Sequence, residues 1–413
     1  MSGAVDLLPI LTALVLILVG ARLGGALFES LGQPAVLGEL LAGIVLGNLG
    51  LLGFHGFDGL RNQPGISILA QIGVLFLLFQ VGLETNVQKM MAVGASSFLV
   101  ALFGVIAPML LGYFVSAWFF PAHHPLMHWF VGATLTATSV GITARVLSDL
   151  GRTDSKEGRI ILGAAVIDDV MGLVVLAVVA GIIEAANRGA AFQPIMAVWV
   201  VARALLFLVG AVVIGQWLSK RVFGLASRLR GQGMLLSVAL VFCFGFAWLA
   251  GRMGLAPIVG AFAAGLVLDE THYRELRERH KETRDISELL QPIATFLVPV
   301  FFVLMGIRVD LSAFGQSGVL AFAAVLTLVA ALGKQACSLG VIEKGCDRLA
   351  VGLGMIPRGE VGLIFAGIGA TLMIGGEPVV DAAVFSAIVI MVALTTLVTP
   401  TLLVWRLRSA RST

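Results

Sequence analysis

Charge is what this chain has least of. Only 12% of its 413 residues are Asp, Glu, Lys or Arg, while 59% are apolar, and the mean hydropathy is +1.02. A water-facing surface cannot be built from that composition, so a soluble globular protein is excluded and a membrane protein is indicated. Cysteine is scarce too: Cys243, Cys337 and Cys346 form no CxxC pair and no metal-binding spacing, which excludes a disulfide framework and a thiolate metal site and leaves them as packing residues. The six histidines make no HExxH, and there is no Walker or dinucleotide-binding signature, so neither an enzyme nor a bound cofactor is expected. The first apolar stretch lacks a basic leader and is long enough to span a bilayer, so no cleavable signal peptide is expected.

What fills the chain is apolar runs. A membrane helix needs about 20 mainly apolar residues. Thirteen such runs are read at 6–28, 34–52, 66–84, 93–117, 126–148, 159–183, 194–218, 233–251, 254–270, 287–308, 318–341, 348–374 and 380–405. Most of the 27 Lys and Arg fall in loops on one side, among them Lys220, Arg221, Arg228, Arg230, Arg274, Arg277, Arg279, Lys281 and Arg284. The other side carries Arg61, Arg188, Arg252 and Arg308. By the positive-inside rule the N-terminus lies outside and the C-terminus in the cytoplasm. The basic loops are thereby topology signals, and nucleic acid is not an expected partner.

The runs also resemble one another. The second reads PAVLGELLAGIVLG and the ninth APIVGAFAAGLVLD, which aligns Gly38, Ala42 and Gly43 with Gly260, Ala264 and Gly265. The third and tenth place Gly82 and Gly306 alike. Both pairs are seven runs apart. Seven is odd, so the partners cross in opposite directions, the mark of an inverted-topology repeat of spans 1–6 on spans 8–13. The repeat then sets the fifth run against the twelfth. Each carries helix-breaking or polar sequence at mid-depth: Thr136, Thr138, Ser139 and Gly141 in one, Pro357, Arg358, Gly359 and Glu360 in the other. Two discontinuous, crossing helices are expected there, since broken helices expose carbonyls and helix ends from which ion sites are built.

Ionisable residues inside the runs stand out against this background. Glu39, Asp168, Asp169, Arg203, Lys334, Arg358 and Glu360 are the clear ones. A carboxylate at the bilayer centre costs about 2.5–3.5 kcal/mol on insertion scales, so such residues mark ion and proton paths. Asp168 and Asp169 are adjacent in an apolar helix, where like charge and desolvation oppose double ionisation. A site of that kind can trade a proton for a cation. Lys334 is a candidate partner for one of the two. Arg358 and Glu360 read as supports of the helix crossing, with Pro357 and Gly141. Glu39 is placed equally as a packing residue or on an ion path, and Arg203 as a structural or lipid-facing residue. His123, His124 and His128 on one face, and His272 and His280 on the other, read as ordinary loop residues.

With these residues in view, the chain resembles the monovalent cation:proton antiporter family, second class, and most closely its bacterial NapA-type sodium/proton antiporters. The segments GQPAVLGELLAGIVLG, IGVLFLLFQVGLET, TATSVGITARVL, RIILGAAVIDDVMGL, GLAPIVGAF, PVFFVLMGIRVDL, LGKQA and GMIPRGEVGLI carry the likeness over nearly the whole chain. The resemblance implies an all-α polytopic fold in the bacterial inner membrane and a homodimer. It implies one membrane domain, 1–413, with a scaffold of about 1–90 and 225–312, a mobile core of about 91–190 and 313–408, and a linker helix of about 191–224. It implies that Asp169 binds Na⁺ (or Li⁺), helped by Asp168, Thr138 and Ser139, that Asp168 pairs with Lys334, and that transport is of the elevator type. Asp-Asp, where electroneutral relatives tend to have Asn-Asp, favours electrogenic exchange. Anionic lipid at the inner basic loops is a further expected partner, and a C-terminal nucleotide-binding domain is not expected. The alternatives are a potassium/proton antiporter of the same fold and, from another class, a non-transporting membrane sensor. An intramembrane aspartyl protease is excluded, because its two aspartates lie on different helices in sequence contexts that this chain lacks.

Overall fold

The computed structural model describes residues 7–54, 59–60, 63–84, 94–153, 155–187, 194–227, 233–268, 273, 277, 284–315 and 318–409. Arg61, Arg188, Arg228, Arg230, Arg274, Arg279, Lys281, His272 and His280 lie outside these residues, as does the side chain of Glu360. The described chain forms α1 (Leu7–Ser30), α2 (Ala35–Gly47), α3 (Pro64–Glu84), α4 (Ala95–Phe119), α5 (Pro125–Thr134), α6 (Val140–Asp149), α7 (Lys156–Asn187) and α8 (Pro194–Ala226). It continues as α9 (Met234–Arg252), α10 (Pro257–Val267), α11 (Ile286–Arg308), α12 (Val319–Gln335), α13 (Arg348–Gly354), α14 (Glu360–Gly369) and α15 (Ala382–Ser409). Among the described residues eight helices are long and apolar enough to cross a membrane: α1, α3, α4, α7, α9, α11, α12 with its following turn, and α15. The other expected runs fall on α8, on the short helices α2 and α10, and on the pairs α5–α6 and α13–α14.

One amendment to the all-α expectation is needed. The run read as 348–374 is two helices that stop at Gly369, and its end is a strand, β1 (Met373–Ile374), paired antiparallel with β2 (Glu377–Pro378). Gly375 and Gly376 join the strands, with φ of 61° and 92°. Two adjacent left-handed residues make a hairpin turn that follows strand twist, and glycine adopts them without a Cβ penalty.

Two sets of helices pack among themselves. In the first, α1 lies on α2, α2 and α3 on α11, α3 on α10, and α10 on α9. In the second, α4 lies on α5, α7 and α12, and α15 on α12, α13 and α14. The long helix α8 touches α7 as well as α9 and α10. Arg203 on α8 donates to the carbonyl of Met253 at 2.7 Å, so it caps the C-terminal end of α9 and is structural. A cation there meets the negative end of the helix dipole.

The glycines singled out by the sequence repeat are where the first set touches. A Cβ on Gly43 of α2 would stand 2.9 Å from the Cα of Gly306 on α11, and one on Gly306 2.8 Å from the Cα of Gly43. A Cβ on Gly82 of α3 would stand 3.0 Å from the Cα of Gly265 on α10. Gly38 meets Gly24 of α1, and Gly260 meets Phe246 and Ala247 of α9, in the same backbone-to-backbone manner. Without a hydrophobic force between helices in lipid, close packing of small residues supplies the association. Asn48 then ties the ends of α2 and α11: its Nδ2 donates to Ile44 O at 2.8 Å and Val309 O at 2.9 Å, and its Oδ1 accepts from Leu311 N at 2.9 Å.

The second set is tied at one end by polar contacts. Asp347 caps α13, accepting from Leu349 N and Ala350 N, and pairs with Arg406 of α15 at 2.7 Å. The backbone N–H of Asp347 donates to Glu157 of α7 at 3.0 Å. Burial, and then the charge of Glu157, push the neighbouring Cys346 thiol up to about 12, so it stays protonated as an inert packing group.

The glycine crossings give a direct test. Gly306→Val forces a side chain into the backbone of α2 and is expected to destabilise by about 3 kcal/mol or more, since overpacking against main chain cannot relax by rotamer change. Gly245→Ala, at a position with open space around it, should stay within about 1 kcal/mol of the parent. Thermal unfolding in detergent, followed by size-exclusion fluorescence, separates the two.

Candidate functional site: a buried ion pair beside two crossed helix breaks

Each break has a local cause. Helix α5 starts on His124, whose ring accepts from Leu126 N, with Pro125 in the first turn, where a missing N–H matters least. It ends in a run of hydroxyl residues that satisfy their own backbone: Thr134 Oγ1 donates to Val131 O at 2.7 Å and Thr136 Oγ1 to Ala133 O at 2.8 Å. Such bonds compete with helix continuation. Helix α13 ends at Gly354, and Pro357 cannot extend it, lacking an N–H and disfavouring helical backbone at Ile356.

The two breaks meet. Ser139 N donates to Pro357 O at 2.8 Å, Thr138 Oγ1 to Met355 O at 3.4 Å, and Thr143 Oγ1 to Gly354 O at 2.6 Å. Gly359 leaves room for Ser139, whose Oγ would stand 2.7 Å from a Cβ there. Arg358 is fully buried and serves both breaks: Nη1 donates to Ile356 O at 2.7 Å and Nη2 to Leu135 O at 2.6 Å. Its own carbonyl accepts from Thr396 of α15. A fixed cation thus stands at the C-terminal ends of two half-helices, whose carbonyls carry partial negative charge. Gly141 is the second residue of α6 and Glu360 the first of α14, so both mark half-helix starts.

Next to the crossing is the ion pair. Lys334 Nζ on α12 donates to Asp168 Oδ1 at 2.8 Å and Oδ2 at 3.1 Å, with both side chains at 0% exposure. Asp168 also interacts electrostatically with Arg358. Asp169, the next residue of α7, is half-buried, so it alone of the two has access to space outside the packed helices. One turn on, Gly172 lies against Thr136 of the first break, 3.7 Å from its Oγ1 to a Cβ position.

Two further residues of the site, Gly104 and Pro108, were not foreseen from sequence. A Cβ on Gly104 of α4 would stand 3.4 Å from Lys334 Nζ, 3.5 Å from Asp168 Oδ1 and 2.8 Å from Cys337 Sγ. The missing side chain is the space in which the pair sits. Pro108, inside the same helix, has no N–H to offer the Gly104 carbonyl, and it packs on Gly333. The G-x-x-x-P spacing in an apolar run was the available signal. Glu39 is not brought to this site: it lies on α2 against α1, its Cγ 3.9 Å from a Cβ position on Gly25. His128 differs from its reading as a loop residue. It is buried, with Nδ1 2.9 Å from Ser116 Oγ, and it packs edge-on to Tyr113. His123 sits 3.7 Å from Asp381 at the start of α15.

A many-helix membrane protein with two interrupted helices crossing beside buried opposite charges has the makings of an ion transporter. The chain belongs to the family of transmembrane sodium/hydrogen exchangers, whose pattern it matches over residues 13–408, and it is a multi-pass membrane protein. It is 38% identical to the high-affinity Na(+)/H(+) antiporter NhaS3 of Synechocystis sp., over 95% of this chain and 88% of that one. It is 34% identical to the Na(+)/H(+)-K(+) antiporter GerN of Bacillus cereus, over 94% of each chain. Its fold matches the sodium proton antiporter MjNhaP1 of Methanocaldococcus jannaschii at pH 8 with a TM-score of 0.69, 17% identity and 96% of both chains covered.

The energetics of the pair can be read from a double-mutant cycle. Lys334→Met leaves the Asp168 carboxylate buried without its partner, and breaking such a pair costs about 3–5 kcal/mol. Adding Asp168→Leu removes the stranded charge and should recover most of that loss. Thermal stability of the two single variants and the double variant gives the coupling, and a double-variant loss equal to the sum of the two single losses would deny it.

Proposed function

We propose that the chain is a secondary antiporter, not an enzyme, that exchanges Na⁺ or Li⁺ for protons. The observation that carries this is the half-buried Asp169 beside a fully buried Asp168–Lys334 pair, at the meeting point of two helix breaks. Hard oxygen ligands suit alkali cations. Asp169 coordinates the cation with help from Asp168, Thr138 and Ser139. Protonation of the aspartates supplies the alternative neutral form, so cation and proton compete for one place. Arg358 and Pro357, with Glu360 and Gly141 at the half-helix starts, hold the crossing in register.

Counting each interrupted pair as one crossing gives thirteen spans, with the N-terminus outside and the C-terminus in the cytoplasm of a bacterial inner membrane. Spans 1–6 and 8–13 form the inverted repeat. It is supported by the matched glycine contacts, in which Gly43 meets Gly306 as Gly265 meets Gly82. The first packed set is the scaffold of a homodimer, the second the core that moves as an elevator, and α8 the link between them. Bilayer lipid surrounds the dimer, with anionic lipid at the inner basic loops. Exchange of K⁺ for protons at the same site is the second reading, favoured by the name of the Bacillus cereus relative.

The test is exchange in proteoliposomes loaded with Na⁺, Li⁺ or K⁺ across a range of pH. Asp169→Asn is expected to lose at least about a hundredfold in exchange rate while keeping the parent's thermal stability, because it removes an ionisable ligand of the cation. A variant that keeps normal Na⁺-dependent exchange would remove Asp169 from the site.

Coupling is the second measurement. With two protons entering for each Na⁺ leaving, one net charge moves inward per cycle, and a membrane potential adds about 2.3 kcal/mol of drive per 100 mV. Wild-type exchange should therefore give a current on a solid-supported membrane and respond to an imposed potential. Lys334→Gln should diminish both. Robust exchange with neither current nor potential dependence would make the carrier electroneutral and leave Lys334 as a counter-ion only.

A further inference from the structure

A cavity of about 500 Å³ lies between the two packed helix sets, at the end of the molecule where α11 and α14 finish and α3 and α10 begin. Its walls are mostly apolar, and two ionisable side chains line it: Glu184 of α7 and Arg308 of α11. Both are half-buried. Arg308 is anchored to its own set, with Nη2 donating to Ser67 Oγ of α3 at 3.1 Å. Glu184 belongs to the other set, so the seam carries one charge from each side.

The cavity stands over the site along one helix. Ala180, which lines it, is about 16 Å along α7 from Asp169 and only about 20° round the helix, and Glu184 is about 22 Å along and about 60° round. The face of α7 that carries Asp169 is thus continued upward by the face that borders the cavity. In the orientation proposed above, this is the outer end. Apolar walls screen poorly and focus the field of the few charges they hold. A cation in this space is repelled by Arg308 and attracted by Glu184, and the balance of the two sets its local concentration.

We infer that Glu184, set against Arg308, is an affinity-determining residue at the outer mouth of the transport path: it offsets the arginine's repulsion and fixes the apparent Na⁺ affinity at the outer face. The inference rests on the antiport reading. It adds a group that touches the cation only in passage and leaves the site at Asp169 unchanged. The two faces should therefore respond unequally to its loss, which a purely structural residue would not bring about.

The experiment measures Na⁺/proton exchange in right-side-out and in everted membrane vesicles, so that each face in turn receives Na⁺. Glu184→Gln should raise the apparent KM at the outer face on the order of three- to tenfold. The inner-face KM and the maximal rate should stay within about twofold. Glu184→Asp, which keeps the charge, should restore the outer KM, and Arg308→Gln should lower it. Should Glu184→Gln fail to reach the membrane, Arg308→Gln carries the same test through the sign and sidedness of its shift. Equal shifts at both faces, or none, overturn the inference, as does a loss of maximal rate without a sided KM change. Wild-type vesicles without exchange at either face would overturn the antiport reading itself, and the two failures are told apart by that control.

Discussion

Hydrocarbon gives a polar backbone group nothing to bond to. Every structural choice in the second helix set follows from that constraint. Two helices are interrupted, and each interruption strands carbonyls and amides that cost several kcal/mol apiece if left alone in lipid. The chain resolves this by pairing one break with the other. Ser139 N finds Pro357 O, the hydroxyls of Thr138 and Thr143 find Met355 O and Gly354 O, and Arg358 collects Leu135 O and Ile356 O. Neither break is tenable without the other, so the crossing forms as a unit.

The same constraint explains the neighbouring charges. Asp168 and Lys334 have no water to solvate them, and each is tolerable because the other is present. Exposure is uneven along α7. Asp168 is fully buried against the lysine, whereas Asp169, one residue further, keeps some exposure. Adjacent residues on a helix point about 100° apart, so one side chain can face the packed interior while the next faces the seam between helix sets. Two chemically identical residues thereby acquire different environments from geometry alone.

What was legible in the sequence was whatever is expensive in an apolar context. Adjacent aspartates, a lysine and a Pro-Arg-Gly-Glu string inside hydrophobic runs announce themselves because composition offers them no cover. The glycines of the sequence repeat were legible by their spacing, and four of them, Gly43, Gly306, Gly82 and Gly265, are the places where α2 meets α11 and α3 meets α10. What was not legible is spatial or non-local. Gly104 matters for the volume it leaves to Lys334, and its spacing to Pro108 signals a special helix position without showing which side chains lie opposite. The bond from Arg358 to Leu135 O joins positions far apart in the chain, and the Arg203 bond to Met253 O depends on how α8 lies against α9. The first strand of the hairpin at 373–378 was hidden in the end of an apolar run, although Gly375 and Gly376 were in plain view as a turn signal just beyond it.

The first helix set is built to the opposite rule. Where Gly43 meets Gly306 and Gly82 meets Gly265, main chain lies directly on main chain. Most contacts inside proteins can drift over generations, because a larger side chain on one side is compensated by a smaller one opposite. These contacts have nothing left to shrink. A substitution at one glycine cannot be answered at the other, which is already the smallest residue available, so the crossings are closed to gradual repair. Variation among descendants of this chain must then accumulate elsewhere, in loops, lipid-facing positions and the walls of the seam, around a helix arrangement that its own glycines keep from drifting.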